Sequence, residues 1–258
     1  MVHVGTSGFR YKDWRGTFYP ADLPDEELLA WYAGQFGTVE LNFTYYGIPA
    51  PRVIERMVER TPEGFSFWVK ANEATTHKRD RSVAAQFNDA VAPAREAGRL
   101  AGILFQFPYA FHNDRGNRRF LATLKEDFPH DPLVVEFRNS GWAIDPVFGF
   151  LRMHGLGFCC VDEPDLEGLM PPVAVATSPV AYVRFHSRDA SKWYEGGGKE
   201  RYNYLYSRDE LAEWIPKTQQ LDADAESVYI FFNNCHAGHA AVNAAEFKQM
   251  LAEIGLIG

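Results

Sequence analysis

The chain has 258 residues, of which 46% are apolar and 23% charged, a composition typical of a globular protein with a large buried core. Its formal net charge of −8, from 26 basic and 34 acidic residues, disfavours a broad surface for polyanions such as nucleic acid. The cysteines Cys159, Cys160 and Cys235 form no disulfide framework, which favours a reducing compartment.

The sequence shows no secretory leader and no apolar run of bilayer-spanning length, so we expect a cytoplasmic protein that does not insert into membranes. Neither the dinucleotide-binding pattern G-x-G-x-x-G nor the P-loop pattern G-x-x-x-x-G-K-[ST] occurs. We therefore expect no nucleotide cofactor, and no other feature of the sequence calls for one.

Short β-rich runs recur at an average spacing of about 32 residues, the length of one strand–helix unit. They are Val2–Thr6, Thr38–Phe43, Ser66–Ala71, Ala101–Phe107, Leu133–Arg138, Phe158–Asp162, Ala181–His186 and Val228–Asn233. Several are almost continuously apolar, as expected of parallel strands covered by helices.

Helical patterns fill most gaps between these runs, and helix-start signals support three of them. The signals are Ser82 as an N-cap, Asp145 followed by Pro146, and the capping box of Ser207 and Glu210. The sixth gap, Glu163–Pro179, is rich in proline and lacks a helical pattern, so the sixth helix is predicted to be short or missing.

Strict alternation of strands and helices predicts an α/β fold, a (β/α)8 TIM-like barrel formed by residues 1–258 as a single domain. A doubly wound open sheet is the alternative. It is disfavoured because such sheets usually have fewer strands and often carry a glycine-rich nucleotide turn.

Polar residues cluster where the predicted strands end, the position of the active site in such barrels. On four strands they occur as pairs two residues apart, and such residues point the same way. The pairs are Glu40 with Asn42, Lys70 with Asn72, Glu136 with Arg138, and Arg184 with His186. Apolar residues between the pairs would face the helices, which places the polar side chains in the lumen.

This arrangement predicts a site with acid/base groups and ligand-binding groups but no metal. The candidate catalytic residues are Glu40, Glu136 and His186. The candidate ligand-binding residues are Asn42, Tyr45, Lys70, Gln106, Arg138, Trp142, Arg184 and Asn233. An ion network that only stabilises the top of the barrel is the alternative interpretation.

Seven sequence blocks together resemble the YecE-like family, also called domain of unknown function 72. They include Gly5-Thr6-Ser7-Gly8-Phe9, the stretch Val39–Tyr46, Phe67–Ala71 with Thr76-His77, Leu104–Pro108, Glu136-Phe137-Arg138 with Trp142, Val183–His186, and Phe232-Asn233-Asn234. Ser187 stands where the family usually has glycine. The resemblance spans nearly the whole chain and implies a TIM-like barrel, but it implies no particular reaction.

Three functions remain open from the sequence. The first is an enzyme or enzyme-like site, without a metal, for a small anionic or sugar-like molecule; hydrolase, lyase and isomerase chemistry are not distinguished. In it, Arg138, Arg184 and Lys70 hold a phosphate or carboxylate, with the two arginines reaching one ligand from neighbouring directions. The second is a metal-dependent barrel acting on sugars or phosphodiesters, with Glu136, Asp162 and His186 as ligands. The third is a module that binds nucleic-acid ends or a protein through basic loops. The oligomeric state is not predicted.

Overall fold

The computed structural model of the protein describes residues 1–194 and 200–257. Eight parallel strands form one sheet in the order β1-β8-β7-β6-β5-β4-β3-β2. The strands are β1 Val2–Thr6, β2 Thr38–Leu41, β3 Ser66–Lys70, β4 Leu100–Gln106, β5 Leu133–Glu136, β6 Leu156–Asp162, β7 Val180–Phe185 and β8 Ser227–Phe232. A parallel bridge between Ser7 and Glu40 links the two ends of the sheet, which confirms the predicted TIM-like barrel.

Helices surround the sheet. They are α1 Leu28–Ala33, α2 Phe43–Tyr46, α3 Pro51–Glu59, α4 Glu73–His77, α5 Ala84–Glu96, α6 Arg115–Asp127, α7 Asp145–Met153, α8 Ala190–Trp193, α9 Arg208–Ala212, α10 Ile215–Asp224 and α11 His239–Glu253. Residues 163–179, all of which the structure describes, contain no helix, so the sixth helix is missing as predicted. Within the described residues, no helix has the length and apolar character needed to cross a lipid bilayer.

The helix starts follow the predicted signals closely. The capping box of Ser207 and Glu210 is present at the start of α9. The predicted cap at Ser82 is wrong, because α5 begins at Ala84 and the Ser82 hydroxyl instead donates to the carboxylate of Asp80 at 2.6 Å. This serine therefore stabilises the turn before the helix rather than the helix itself.

Six strands end one or two residues earlier than predicted, namely β2, β3, β4, β5, β7 and β8. Beyond three of them lie residues of the barrel rim. β2 stops at Leu41, because Asn42 adopts a helical conformation and α2 follows it. β5 stops at Glu136, and Arg138 follows it. β7 stops at Phe185, although the amide of His186 still donates to the carbonyl of Asp162 at 2.9 Å.

Aromatic rings fill the lumen below the polar rim. The indole of Trp68 packs against the rings of Tyr182 and Tyr229, with centroids 4.6 and 5.4 Å apart. Gly102 on the neighbouring strand makes room for it: a Cβ there would lie 2.5 Å from two carbons of that indole and 2.7 Å from the Pro132 carbonyl oxygen. Two of these obstacles are a fully buried ring and a backbone atom, so neither moves easily.

We predict that Gly102→Ala lowers the free energy of unfolding by about 1–3 kcal/mol, because the added methyl overpacks the lumen. Gly149→Ala is the matched control, since that glycine is exposed within α7 and its Cβ would meet nothing within 4 Å. The control should raise stability by about 0.5–1 kcal/mol, through lower backbone entropy of the unfolded chain. Urea unfolding of both variants measures the difference; equal stability of the two would contradict this packing argument.

Candidate functional site

The guanidinium of Arg184 lies at the centre of the polar cluster. This residue is the fifth of β7 and is 1% exposed. Its Nη1 contacts Oε2 of Glu136 at 2.5 Å and its Nη2 contacts Oε1 of Glu40 at 2.7 Å. The other oxygen of Glu40 accepts a hydrogen bond from the Tyr182 hydroxyl at 2.6 Å. One arginine thus ties two fully buried carboxylates from β2 and β5 across the lumen.

A second arginine extends this network toward the rim. Nη2 of Arg138 lies 2.9 Å from Oε1 of Glu136, and its Nη1 lies 3.3 Å from Oε2 of Glu163. Burial alone would raise the pKa of Glu136, but Arg184 and Arg138 outweigh it and hold that pKa well below its ordinary value. Glu136 is therefore a permanent anion in the folded protein at neutral pH.

Glu163 behaves differently, although it touches the same arginine. Its side chain is fully buried, and its Oε1 accepts a hydrogen bond from the amide of Met170 at 2.8 Å. Burial raises the pKa of Glu163 to about 7, since Arg138 and the Met170 amide offset it only in part and the charge of Glu136 adds to it. A carboxyl group that titrates near neutral pH is suited to proton transfer.

His186 faces the same carboxylate from the end of β7. Its Nε2 lies 3.2 Å from Oε1 of Glu136, and its Nδ1 lies 3.0 Å from the amide nitrogen of Asn233. Burial, together with the charge of Arg138, lowers the pKa of His186 to about 3, so the ring is neutral. Because Asn233 donates to Nδ1, the ring proton lies on Nε2 and faces Glu136.

Lys70 completes the rim at the end of β3, and its side chain is partly exposed. Its Nζ donates to Oε1 of Gln106 at 2.9 Å and lies 4.2 Å from the centroid of the Tyr45 ring. Burial is the main cause that lowers the pKa of Lys70 to about 8, and the charge of Arg184 adds to it. Within residues 1–194 and 200–257, Lys70 forms no ion pair with a carboxylate.

Several buried polar atoms of this cluster have no well-formed hydrogen bond among the described residues. They are Oε1 of Glu136, Nε2 of His186 and Nε of Arg184. The contacts of Oε1 of Glu136 are close, but their angles are poor. Unsatisfied polar atoms are rare in protein interiors, so their concentration at one end of the barrel argues against a purely structural network.

The structure brings most of the predicted site residues together at the mouth. In or beside the network lie Glu40, Tyr45, Lys70, Gln106, Glu136, Arg138, Arg184, His186 and Asn233. Asn42 instead precedes α2 and does not continue the inward face of β2.

Two predicted ligand-binding residues take structural positions instead. Trp142 is fully buried against the outward-facing ring of Phe137, with centroids 4.2 Å apart, so it belongs to the layer between sheet and helices. Arg184 is held by Glu40 and Glu136 and has no exposed face for an anion. The predicted clamp of Arg138 and Arg184 around one anion is therefore revised, and Arg184 becomes the centre of the structural network.

Asp162, which the metal alternative used as a ligand, points away from the lumen. Its carboxylate accepts hydrogen bonds from Trp214 at 2.6 Å and from Tyr206 at 2.8 Å, and it forms an ion pair with Arg188 at 2.7 Å. Asp162 pairs in register with Phe185, whose side chain packs on the same tryptophan. It therefore does not join Glu136 and His186.

Sequence reasoning missed two members of the network. Tyr182 lies two residues before Arg184 and so shares its inward face, a spacing that could have revealed it. Glu163 follows β6 directly, but its place beside Arg138 depends on the fold of residues 163–179. The neighbouring Asp162 gave the stronger sequence signal because it ends an apolar run.

Two residues of the basic loops near the mouth form ion pairs. Arg81 forms ion pairs with Glu126 and Asp127, and Lys78 forms one with Glu73. Three clefts of about 430–570 Å3 lie on the outer surface, and none of these three includes a residue of the mouth network. We place the candidate site at the mouth because the charged and unsatisfied groups converge there.

Comparison with known proteins gives a consistent assignment. The family model described as "Protein of unknown function DUF72" matches residues 3–255. The UPF0759 protein YunF of Bacillus subtilis is 32% identical, over 97% of this chain and 95% of that protein. A DUF72 family protein of Thermotoga maritima has a solved structure with a TM-score of 0.91 and 41% identity, covering 98% of this chain and 99% of that one. The structure of a DUF72 family protein from Enterococcus faecalis has a TM-score of 0.87 and 26% identity, covering 98% of this chain and 96% of that one.

We predict that Glu136→Gln lowers the free energy of unfolding by about 3–5 kcal/mol at pH 7, because it leaves Arg184 and Arg138 without their shared anion. The folded-state pKa of Glu136 is lowered, so its contribution is present above the unfolded-state value of about 4.3 and is lost as pH falls through the folded-state value. The gap between wild type and variant should therefore narrow on acidification.

Urea unfolding at pH 7 and at pH 4 measures this gap. Asp25→Asn is the control, because Asp25 also contacts two arginines but lies exposed on the surface, where ion pairs contribute little. A Glu136→Gln variant as stable as Asp25→Asn would show that the network does not hold the barrel together.

Proposed function

This chain belongs to the family of proteins of unknown function DUF72, and we propose that its barrel mouth binds a small carboxylate- or phosphate-bearing molecule between Lys70 and Arg138. The observation that carries this proposal is that Lys70, whose side chain is only partly buried, has no carboxylate partner in the described part of the chain. Arg184, by contrast, has two carboxylate partners.

The balance of charge at the mouth supports an anionic ligand. Three cations, Lys70, Arg138 and Arg184, face the carboxylates of Glu40 and Glu136. A further carboxyl group, Glu163, is only partly ionised at neutral pH because its pKa is about 7. When Glu163 is protonated, one positive charge is in excess, and a bound oxyanion would neutralise it. At about 4 Å and an effective dielectric constant near 20, such a contact gives about 4 kcal/mol before desolvation.

We further propose that reactions at this site use acid/base chemistry by side chains. Glu163 is the proton-transferring carboxyl group, since its pKa lies near the working pH, whereas Glu40 and Glu136 are occupied by Arg184 and orient it. Neutral His186 directs its Nε2 proton toward Glu136 and so helps to orient that carboxylate.

We predict that sulfate raises the melting temperature of the wild-type protein and has little effect on Lys70→Met. Stabilisation of the folded state by a ligand reaches roughly 1.4 kcal/mol at ten times its dissociation constant. Differential scanning fluorimetry over a sulfate series, with chloride at matched ionic strength, measures the shift.

Lys78→Met is the matched control, because Lys78 is an exposed lysine paired with Glu73 close to the same rim. Lys70→Met should fold at least as stably as wild type without sulfate, since it removes a desolvated ammonium. Equal sulfate shifts in the wild type and both variants would contradict a specific site at Lys70.

We predict that the sulfate effect decreases as pH rises through about 8, the pKa of Lys70, because the amine loses its positive charge there. Sulfate keeps its charge over this range, so the change reports on the protein. Dissociation constants from isothermal titration calorimetry at pH 6.5 and pH 9.5 test this in a Glu163→Gln background, because Glu163 also ionises in this range, with a pKa of about 7. Affinity that is unchanged or higher at pH 9.5 would exclude Lys70 as the anchor.

A further inference from the structure

The surroundings of the Lys70 amine differ from those of a lysine that only binds an anion. Its Nζ has one acceptor, Oε1 of Gln106, which is fixed because the other amide atom of Gln106 donates to the carbonyl of Phe107 at 2.8 Å. The ring of Tyr45 covers the amine from one side. The amine is thus held in one position by neutral groups, on a side chain that is only partly buried.

The neighbouring charges favour the neutral form of this amine. Arg184 and Arg138 both lower the pKa of Lys70, while Glu136 and Glu40 raise it by less than burial lowers it. With a pKa of about 8, the fraction of neutral amine below pH 8 is on the order of a hundredfold larger than for an ordinary lysine. A neutral lysine amine is a nucleophile toward carbonyl carbon, and a neighbouring cation is one of the known ways to produce it.

We propose that Lys70 forms an imine with a small aldehyde or ketone that carries a carboxylate or phosphate group. This inference rests on the proposed function, because the anionic group of the substrate would be held by Arg138, whose side chain is 12% exposed at the rim. The substrate class is therefore an oxo acid or a phosphorylated carbonyl compound.

The step is balanced without an oxidant or a reductant. The lone pair of Nζ attacks the carbonyl carbon, a C–N bond forms, and the carbonyl π electrons move to oxygen, which takes up a proton. Nitrogen loses one proton, which gives a carbinolamine. The hydroxyl then takes up a second proton, the nitrogen lone pair forms the C=N bond as the C–O bond breaks, and water leaves. Nitrogen finally loses its second proton, so that amine plus carbonyl gives imine plus water.

A titratable side chain lies next to the tyrosine that covers the amine. The hydroxyl of Tyr45 lies 3.3 Å from Nε2 of His77, whose side chain is exposed. Nδ1 of His77 lies 2.9 Å from the Thr76 hydroxyl, which holds the ring in place. Tyr45 and His77 therefore connect the edge of the ring that covers Nζ to solvent.

Reductive trapping tests the proposal on the full chain. The protein is incubated with pyruvate and sodium cyanoborohydride, which reduces an imine to a stable secondary amine, and is then analysed by intact mass and peptide mapping. We expect one adduct, on Lys70, at a yield exceeding that on any other lysine by more than about tenfold, in keeping with its larger neutral fraction. Sulfate should suppress it.

Three variants make the result specific. Lys78→Met should be labelled like the wild type. Lys70→Met and Lys70→Arg should both lose the adduct. Because the arginine variant keeps a positive charge at this position, its loss of labelling cannot be explained by a loss of charge. Cooperative thermal unfolding of each variant checks that it is folded. Absence of an adduct, or adducts spread evenly over surface lysines, would overturn the inference.

The outcomes separate this inference from the anion site beneath it. If sulfate raises the melting temperature only when Lys70 is present, but pyruvate gives no adduct, the anion site is supported and the imine chemistry is refuted. Acetone has no anionic group. If it labels Lys70 as strongly as pyruvate does, and sulfate has no effect, the conclusion that Lys70 is a reactive amine would stand. The same result would refute both the proposed substrate class and the anion site.

Discussion

The structure depends above all on the guanidinium of Arg184 inside the barrel. Eight strands that close on one another leave a lumen that must be filled, and at this level it is filled by charges rather than by aliphatic side chains. A buried arginine without partners would cost several kcal/mol, so its placement requires Glu40 and Glu136 on opposite sides. Tyr182 then satisfies the remaining oxygen of Glu40. These contacts join β2, β5 and β7, which are far apart in sequence.

That constraint divides the cations of the mouth into two kinds. Arg184 is fully committed to carboxylates and stabilises the fold. Lys70 is not, and its ammonium remains partly desolvated without an opposite charge in the described residues. Arg138 lies between these cases, since it contacts Glu136 and Glu163 and still reaches the rim. A buried charge without a partner lowers the stability of the fold. Proteins keep such charges most often at functional sites, where a bound ligand supplies the opposite charge.

The missing sixth helix also affects how the charges at the mouth are paired. Residues 163–179 cross this part of the barrel without a helix, and the amide of Met170 in this segment binds Glu163. A carboxyl group is thereby enclosed beside Arg138, which offsets the effect of burial only in part. Its pKa near 7 is a consequence of that enclosure. Where β6 offers no polar residue to the lumen, the segment after it supplies one.

The sequence by itself determined the barrel, the missing helix and most of the polar rim. Strand–helix alternation and the two-residue spacing of Glu136 with Arg138 are local patterns. Such patterns depend only on residues close together in the sequence, so they can be recognised without the structure. Tertiary structure decided which charges neutralise each other, because pairing depends on distances between strands that the sequence does not contain. It therefore assigned Arg184 to the interior, Trp142 to the layer beneath the helices and Asp162 to the outer face, and it left Lys70 as the cation without a carboxylate among the described residues.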